Sequence, residues 1–311
     1  MRELRFISMD KKIKAVVTGG AGFIGSNVAD QLVAEGFDVH IIDDLSGGKR
    51  KYINPSAKFY ELDIRNFDSI APVFAGADLV FHLAALPRVQ PSIDDPRRTN
   101  DINVAGTLNV LVAARDAKVK RVIYSASSSA YGDQSKMPLV ETMIANPLSP
   151  YGLQKYVGEL QCRLFSQIYG LETVSLRYFN VYGPRASHEG AYALVISRFL
   201  AQRQKGEPMT IVPDGKQSRD FTHVRDIVRA NLLAARSLKV GRGEVMNIGG
   251  GKNYTVLEIA DVIGGPKVFV EPRIEPKHTL ADITKAKELI GWVPQEKFED
   301  GIAELKKIYR L

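Results

Sequence analysis

A glycine-rich segment near the start of the chain constrains the fold more than any other feature. It reads Thr-Gly-Gly-Ala-Gly-Phe-Ile-Gly-Ser over residues 18–26, directly after an apolar run at 15–18 and before a stretch of helical period. Glycine has no Cβ, so it permits a tight turn and the close approach of a phosphate to the backbone. The helix N-terminus that follows offers free N–H groups and a positive dipole end to an anion. The segment therefore predicts a strand–loop–helix unit that binds a dinucleotide.

Short apolar runs alternate with longer stretches of helical period through the first half of the chain. This alternation is typical of parallel strands joined by crossover helices. It predicts an α/β fold in which a doubly wound parallel (Rossmann) sheet is followed by a smaller C-terminal α/β portion. We place the dinucleotide-binding domain at 11–182 and the mainly substrate-binding portion at 183–311, whose chain can cross back to the sheet. The predicted strands include residues 15–18, 39–43, 59–64, 79–84, 122–126 and 173–178.

Two features of the first βαβ unit point to NAD. The residues predicted to contact the cofactor at the glycine-rich segment are Gly19, Gly22, Phe23, Ile24 and Gly25. Asp43 ends the second predicted strand, where a carboxylate accepts hydrogen bonds from the adenosine ribose and repels a 2′-phosphate. This favours NAD over NADP, although Lys49 and Arg50 nearby leave NADP open. A glycine-rich turn without a ligand is the alternative, and the strand–loop–helix context argues against it.

Composition limits the class of protein. The 311 residues are 45% hydrophobic and 25% charged, which is ordinary for a folded globular protein and argues against disorder. Cys162 is the only cysteine, so an intramolecular disulfide and a zinc site built on several thiolates are excluded. The histidines show no metal-ligand spacing. We therefore expect no metal and a reducing, cytoplasmic location.

The net charge of +7 is spread along the chain rather than clustered. Scattered lysines and arginines favour acidic small molecules at least as well as nucleic acid. The chain contains no run of about 18 uninterrupted apolar residues, which a membrane span would need. The residues before Met9 lack the apolar core of a signal peptide. We expect neither a nucleic acid nor a membrane partner, and either Met1 or Met9 can be the natural start.

A Tyr-x-x-x-Lys pair marks the predicted catalytic helix. Tyr151 and Lys155 are spaced to share one helix face, with Ser149 as the predicted N-cap and Pro150 as the first helical residue. In open α/β sheets ligands bind beyond the carboxyl ends of the strands, and the pair follows the predicted strand at 122–126. Serines cluster at the end of this strand: Ser125, Ser127, Ser128 and Ser129. A phenol, an ammonium and a hydroxyl can therefore converge on one substrate.

Several blocks of sequence, in order, resemble one known family. They lie at residues 18–25, 82–85, 103–107, 124–132, 149–152, 176–185, 219–224 and 282–286. At these residues the chain is similar to the extended short-chain dehydrogenase/reductase superfamily and, within it, to the NAD-dependent epimerases of nucleotide sugars. The resemblance covers nearly the whole chain. It implies NAD as the cofactor, a UDP-sugar as the substrate, and a homodimer formed through helices on one face of the sheet.

The resemblance also assigns residues to the two ligands. Beyond the glycine-rich segment and Asp43, those implied to line the cofactor are Asp63, Ile64, Leu83, Ala84, Ala85, Asn103, Ser125, Tyr151, Lys155, Tyr178 and Phe179. Those implied to contact the nucleotide sugar are Ser127, Asn180, Arg219, Arg273 and Thr279. The family often has Arg-x-Gly-Asp where this chain has Arg-Ile-Glu-Pro at 273–276, which leaves the role of Glu275 open.

The implied reaction is 4-epimerisation through transient oxidation of the sugar. Tyr151 takes the proton of the 4-hydroxyl, to which Ser127 hydrogen-bonds, while C4 passes a hydride to NAD; the 4-keto sugar turns over and is reduced on its other face. A tyrosine base at neutral pH requires a pKa far below the ordinary value of about 10. A positive charge about 4 Å away supplies about 4 kcal/mol at an effective dielectric of about 20, and Lys155 provides such a charge.

The main alternative is a nucleotide-sugar 4,6-dehydratase, which shares the fold, the cofactor and the first oxidation. Such enzymes carry Asp-Glu or Glu just after the catalytic hydroxyl, where this chain has Ser128 and Ser129, and hydroxyls are poor substitutes for carboxylates as acid and base. The same absence argues against a decarboxylase. A non-enzymatic alternative, an NAD-binding sensor or RNA-binding module, does not need the Ser, Tyr and Lys set.

The range of sugars is predicted from one position. Thr279 lies three residues before Asp282, at a place where family members restricted to simple hexoses resemble one another in carrying a tyrosine. A small residue there leaves space beside C2 of the sugar. We therefore predict that the N-acetylated pair of UDP-sugars is accepted alongside UDP-glucose and UDP-galactose.

Overall fold

The computed structural model describes residues 12–87, 89–187, 194–271 and 278–311. The predictions for Met1, Met9, Arg273 and Glu275 fall outside these residues. In chain order the strands are β1 (Lys14–Thr18), β2 (Asp38–Asp43), β3 (Lys58–Glu61), β4 (Leu79–His82), β5 (Arg121–Ser127), β6 (Glu172–Tyr178), β7 (Val181–Tyr182), β8 (Met209–Ile211), β9 (Ser218–Asp220), β10 (Thr222–His223), β11 (Arg242–Ile248), β12 (Asn253–Thr255) and β13 (Lys267–Phe269).

Helices follow most strands of the first half, as a crossover topology requires. In chain order the α-helices are α1 (Phe23–Ala34), α2 (Phe67–Ile70), α3 (Val89–Asp94), α4 (Pro96–Asn100), α5 (Gly106–Asp116), α6 (Pro150–Tyr169), α7 (Val195–Gln204), α8 (Val224–Arg236), α9 (Val256–Ile263), α10 (Thr284–Ile290) and α11 (Phe298–Tyr309). A π-helical turn, Asp101–Ala105, joins α4 to α5.

Within the described residues, seven parallel strands form the central sheet, in the order β11-β6-β5-β4-β1-β2-β3. The order reverses at β1, which lies between β2 and β4. A ligand crevice is expected outside the carboxyl ends of the strands at such a reversal. This architecture confirms the predicted doubly wound Rossmann sheet.

Helices cover both faces of the sheet, which explains why its strands are continuous apolar runs. On one face Val28 and Leu32 of α1 pack with Ile227 of α8 and with the buried Trp292. On the other face, helices α5 and α6 pack against the sheet through buried side chains that include Val110, Leu111, Cys162 and Phe165. The burial of both faces leaves the carboxyl edge of the sheet as the place where polar side chains gather.

The C-terminal portion has a core of its own but also returns to the main sheet. Its core includes Phe199, Phe221, Ile259 and Ile302, all buried, and its short strands pair as β7 with β10, β9 with β12 and β8 with β13. β11 then pairs in parallel with β6. The division at residue 182 into a cofactor domain and a mainly substrate-binding domain stays a prediction, because it concerns binding.

Candidate active site

The glycine-rich turn leaves no room for side chains. A Cβ at Gly19, whose φ is +72°, would lie 2.6 Å from the backbone nitrogen of Ala84, and one at Gly25 would lie 2.1 Å from the carbonyl oxygen of Gly19. α1 begins at Phe23, and no side chain caps its N-terminus at Gly22. The turn therefore has the shape and the polarity of an anion cradle, and Ile24 lies in the first turn of the helix above it.

Asp43 holds the glycine-rich turn in place. Its two carboxylate oxygens accept hydrogen bonds from the backbone N–H groups of Ala21 (2.9 Å) and Leu45 (2.8 Å). Burial raises the pKa of the Asp43 carboxyl above its ordinary value, and the two N–H donors oppose this shift. A carboxylate oxygen has a further acceptor site, so the same group can also receive a ribose hydroxyl. Arg50, which left NADP open, pairs instead with exposed Glu61.

The two residues that the resemblance places near the adenine, Asp63 and Ile64, follow β3. Asp63 pairs with Arg65, which lowers the pKa of the Asp63 carboxyl. Ile64 is buried, and its side chain would clash with any Cβ at Gly106 of α5. The contact of Asp63 and Ile64 with the cofactor stays a prediction.

A hydrogen-bonded network that the sequence analysis missed joins β1, β4 and α5. The Thr107 hydroxyl donates to the carbonyl oxygen of Asn103 (2.7 Å), so it can only accept from Nε2 of His82 (3.0 Å). Nδ1 of His82 therefore accepts from the Thr18 hydroxyl (2.7 Å), and Thr18 accepts from the N–H of Ala84 (3.3 Å). Burial, with the charge of Lys155, lowers the pKa of His82 to about 3, which keeps it neutral. The sequence signal that could have indicated this network is the position of His82 inside the predicted strand at 79–84.

The segment Leu83, Ala84 and Ala85 leaves β4 over this network. The N–H of Leu83 donates to the carbonyl oxygen of Thr18, and Ala84 lies against the backbone of Gly19. Two of the residues implied to line the cofactor, Leu83 and Ala84, therefore lie beside the glycine-rich turn, at the reversal of the strand order.

The predicted start of the catalytic helix is confirmed. α6 begins at Pro150, and the hydroxyl of Ser149 accepts the N–H of Gly152 at 3.1 Å. Lys155 is only 4% exposed; its ammonium donates to the carbonyl oxygen of Ser125 at 2.8 Å, which places it at the end of β5. Burial lowers the pKa of Lys155 to about 8. Tyr151 lies one turn earlier on the same face, and its side chain is half-buried.

Ser127 ends β5 next to this pair. Its hydroxyl donates to the hydroxyl of Ser129 at 3.0 Å and accepts the N–H of Ser129 at 3.2 Å. Ser128 and Ser129 form a single helical turn in which no carboxylate is available. The position expected to hold a second acid and base in a dehydratase is therefore occupied by hydroxyls.

Tyr178 ends β6 and Phe179 follows it, and both side chains are buried. The hydroxyl of Tyr178 hydrogen-bonds to the amide of Asn231 in α8, and the ring of Phe179 packs 6.3 Å from the ring of Tyr131. Both side chains belong to the core. Their contact with the nicotinamide stays a prediction. Because both side chains are in the core, such a contact would be made mainly by backbone atoms.

The residues implied to bind the nucleotide sugar come together around Asp220. The side-chain amide of Asn180 donates to the carbonyl oxygen of Asp220 (2.9 Å) and lies 3.5 Å from the hydroxyl of Thr279. Arg219 precedes Asp220 and donates to the carbonyl oxygen of Ser218. Three of the four described residues of the predicted substrate set therefore share one cluster, while Ser127 lies with the catalytic pair.

Asp220 organises this cluster, and sequence reasoning missed it. Its buried carboxylate accepts backbone N–H groups from Gly250, Gly251 and Ala281. Burial raises the pKa of Asp220 to about 6 against these donors. Arg219 and Asp220 are neighbours within the family-like block at 219–224. Only the fold brings the residues near 250 and 280 to the Asp220 carboxylate.

A glycine-rich turn between the first strand and helix of a parallel sheet, with a tyrosine–lysine pair on the helix after β5, defines the short-chain dehydrogenase/reductase class of enzymes. Within that class the chain belongs to the NAD-dependent epimerase/dehydratase family, which residues 15–249 match. NAD is therefore its cofactor, as Asp43 and the glycine-rich segment predicted.

Relatives with assigned activities cover almost the whole chain. A UDP-glucose 4-epimerase of Mycolicibacterium smegmatis is 33% identical in an alignment of 312 positions that covers 96% of this chain and 99% of that protein. A UDP-glucose 4-epimerase of Thermotoga maritima, solved with UDP-glucose, has a TM-score of 0.91 and 38% identity, covering 96% of this chain and 99% of its own. A UDP-N-acetylglucosamine 4-epimerase of Methanobrevibacter ruminantium, solved with UDP-N-acetylmuramic acid, also scores 0.91, with 37% identity over 97% of this chain and 100% of its own.

No helix in the described part of the chain combines the length and the apolarity that a membrane crossing requires.

Proposed function

We propose that this protein interconverts UDP-sugars that differ at C4, with NAD retained in the site from one turnover to the next. The observation that carries the proposal is the position of Lys155: a buried ammonium bonded to the Ser125 carbonyl near the end of β5, one helical turn from Tyr151. The relatives that are 4-epimerases of UDP-glucose and UDP-N-acetylglucosamine support the same reaction.

The residues present fit a dinucleotide. The backbone at Gly19 and Gly25 excludes any Cβ, so a pyrophosphate can approach the N-terminus of α1 closely, and Asp43 lies at the end of β2 for the adenosine ribose. NAD bound there would supply the hydride acceptor for C4 of the sugar and the donor for its reduction. The chain supplies the orientation and the proton transfer.

Tyr151 is the proposed base that removes the proton of the 4-hydroxyl. With a pKa of about 8, Lys155 still carries its proton at pH 7, and its positive charge favours the phenolate form of the tyrosine. An ammonium has three donors, so Lys155 can bond the nicotinamide ribose as well as Ser125. A rotation of the Ser127 hydroxyl away from Ser129 lets it hydrogen-bond to the 4-oxygen of the sugar.

The nucleotide-sugar half of the site is proposed to lie at the Asp220 cluster. Arg219 would bind the diphosphate, Asn180 the adjoining sugar-diphosphate portion, and Thr279 would border C2 of the hexose. The side chain of Thr279 is half-buried and small, which supports acceptance of the N-acetylated pair as well as UDP-glucose and UDP-galactose. Arg273, the remaining predicted contact to the diphosphate, lies outside the described residues.

Epimerisation is favoured over 4,6-dehydration by the residues after β5. Loss of water between C5 and C6 needs an additional acid and base, and Ser128 and Ser129 provide only hydroxyls. Without such groups, the 4-keto sugar has one productive outcome, which is rotation and reduction on its other face.

The experiment is turnover of UDP-galactose by purified protein with no added NAD. We expect UDP-glucose to form without net reduction of nucleotide, because the hydride is borrowed and returned. Tyr151→Phe should lower kcat by at least about 10²-fold, as expected for loss of a positioned base, with UDP-sugar binding retained. Tyr156→Phe on the same helix is the matched control and should retain activity.

Other products would refute the assignment. Stoichiometric consumption of added NAD would indicate a simple dehydrogenase, and a 4-keto-6-deoxy sugar would indicate a dehydratase. Near-normal turnover by Tyr151→Phe would remove this residue as the base.

We also propose that the enzyme is a homodimer in the cytoplasm. Apolar side chains at least 41% exposed lie on the two neighbouring helices α5 and α6: Leu108, Leu153, Leu164, Ile168 and Tyr169. Such a surface on adjacent helices is suited to a second copy of the chain. The single cysteine, buried Cys162, fits a reducing compartment.

A further inference from the structure

We propose that Gln154 is a positioning residue that fixes the catalytic helix α6 against the loop beside the cofactor site. It lies between Tyr151 and Lys155 in the sequence and is only 3% exposed. Its Oε1 accepts from Nδ2 of Asn103 at 2.8 Å, and its Nε2 donates to the hydroxyl of Thr99 at 3.0 Å. This inference rests on the proposed 4-epimerase activity.

Asn103 extends the connection to the loop that follows β4. Its Oδ1 accepts the N–H of Leu86 at 2.8 Å, and its Nδ2 also donates to the carbonyl oxygen of Leu86 at 3.1 Å. These two bonds fix the orientation of the Asn103 amide, which in turn requires Gln154 to present its oxygen to Asn103. The nitrogen of Gln154 then faces Thr99. The hydroxyl of Thr99 lies within hydrogen-bond distance of the carbonyl oxygens of Asp95 and Pro96 and can accept from Gln154.

The π-helical turn Asp101–Ala105 lies in this network. Thr99 and Asn103 are one helical turn apart, so a single long amide can bridge them. Turns of this kind interrupt the regular helical hydrogen bonding and are frequent at functional sites. Here the turn carries Asn103 with its side chain bonded to the loop 83–87 on one side and to α6 on the other.

The connection matters for catalysis because it adds a second fixed point to α6 beside Lys155, next to the N–H of Tyr151 that donates to the hydroxyl of Ser92. Lys155 is tied to Ser125 at the end of β5, which fixes one point of the helix. Gln154 is the neighbouring helix position, about 100° round the axis from Lys155. Through Asn103 it is connected to Leu86 in the loop after β4. Together they restrict rotation of α6, and with it the position of Tyr151. A displacement of about 1 Å at reacting groups can reduce a rate by about 10²-fold.

The test compares Gln154→Met with Gln161→Met. Methionine has similar length and no hydrogen-bonding amide, so Gln154→Met removes both bonds while filling the same space. We expect kcat, normalised to the amount of bound NAD, to fall by about 10-fold or more. KM for UDP-galactose and Kd for UDP should stay within about twofold of the parent values. Gln161 lies on the same helix with only a 3.5 Å contact to the carbonyl oxygen of Val104; its variant should keep kcat within about twofold.

Thr99→Val gives a second, milder perturbation that removes one acceptor of Gln154. We expect kcat to fall about threefold, and the double variant Thr99→Val/Gln154→Met to be no slower than Gln154→Met, because both changes break one connection. If Gln154→Met fails to fold, Thr99→Val alone decides, since unchanged kcat would then overturn the proposal.

Melting temperatures separate positioning from stability. A lower Tm for Gln154→Met with unchanged kcat would show a merely structural role and overturn the proposal, as would a loss confined to KM or an equal loss in Gln161→Met. The parent enzyme is measured in the same series. Absence of turnover in the parent would refute the 4-epimerase assignment, whereas normal turnover in both parent and Gln154→Met would refute only the role of Gln154.

Discussion

Burial controls the charge of single residues in this protein. Lys155 and Asp220 both lose their hydration, yet the pKa falls to about 8 for the lysine and rises to about 6 for the aspartate. The directions differ because burial disfavours the charged form of each group. Both residues lie at ends of sheet strands or beside them, where proposed ligands would meet the protein, so substitutions there are sensitive probes.

The first residue-scale prediction concerns the pH dependence of stability at Asp220. Its folded-state pKa of about 6 lies above the ordinary value of 3.8, so its contribution to the free energy of unfolding is fully present below about pH 4 and is lost as pH rises through 6. We expect the stability of the parent relative to Asp220→Asn to fall by about 2 kcal/mol between pH 4 and pH 7. Urea unfolding at several pH values measures this difference.

Exposed Asp133 supplies the control for that series. Its asparagine variant should show no comparable slope relative to the parent, because the Asp133 side chain is exposed and carries no burial that unfolding would remove. A flat or rising difference for Asp220→Asn would show that the three N–H donors outweigh the burial of the carboxylate.

The second residue-scale prediction concerns the sugars that fit beside Thr279. Thr279→Tyr should strongly reduce turnover of UDP-N-acetylglucosamine while leaving UDP-galactose within about threefold of the parent, since overpacking affects only the ligand that needs the volume. Thr279→Ser keeps the hydroxyl and the space, and it should retain both activities. Equal losses on the two substrate classes, or none on either, would exclude this residue as the selectivity determinant.

At the scale of elements, the ends of the strands build the site. The strand predicted at 59–64 is shorter in the structure: β3 ends at Glu61, and Ile64 packs towards α5. The run at 79–84 likewise ends at His82, and the next residues lie over the glycine-rich turn. Periodicity cannot separate these endings from strand continuation, since both are apolar.

The element-scale prediction concerns the turn between β1 and α1. In Gly25→Ala the new Cβ would meet only backbone atoms of Gly19 and Gly20, the nearest at 2.1 Å, so the turn must shift. We expect the purified variant to retain less than about a tenth of the parent's NAD, as measured by chromatography of the released nucleotide. Gly47→Ala, where a Cβ meets nothing within 4 Å, should retain the parent's NAD content. A fully loaded Gly25→Ala protein would contradict the cradle.

At the scale of the whole molecule, the exposed side chains of α6 predict assembly. Leu164 is 48% exposed on the helix face proposed to meet a second copy. Leu164→Glu should shift the protein from dimer to monomer in light scattering, because an unpaired carboxylate is costly in an apolar interface. Leu238→Glu is the control, since Leu238 is 54% exposed but lies after α8. A monomeric parent protein, or an unaffected dimer of Leu164→Glu, would contradict this interface.

The sequence by itself determined the parallel sheet, the glycine-rich turn, the NAD preference and the start of the catalytic helix. These depend on short-range physics: the period of apolar residues, the absence of a Cβ, and capping at Ser149 and Pro150. All can be recognised within about 30 residues of chain, and the fold and the NAD dependence are confirmed. The individual contacts to cofactor and sugar stay predictions.

Only the tertiary structure decided which polar groups meet in the interior. Asn103 and Gln154 are 51 residues apart, and Asp220 and Ala281 are 61 apart. Their pairing depends on how whole elements pack, because a buried donor or acceptor must find its partner wherever the fold brings one within reach. No local pattern in the chain records that distance, which is why Gln154 and Asp220 become visible only in the folded molecule.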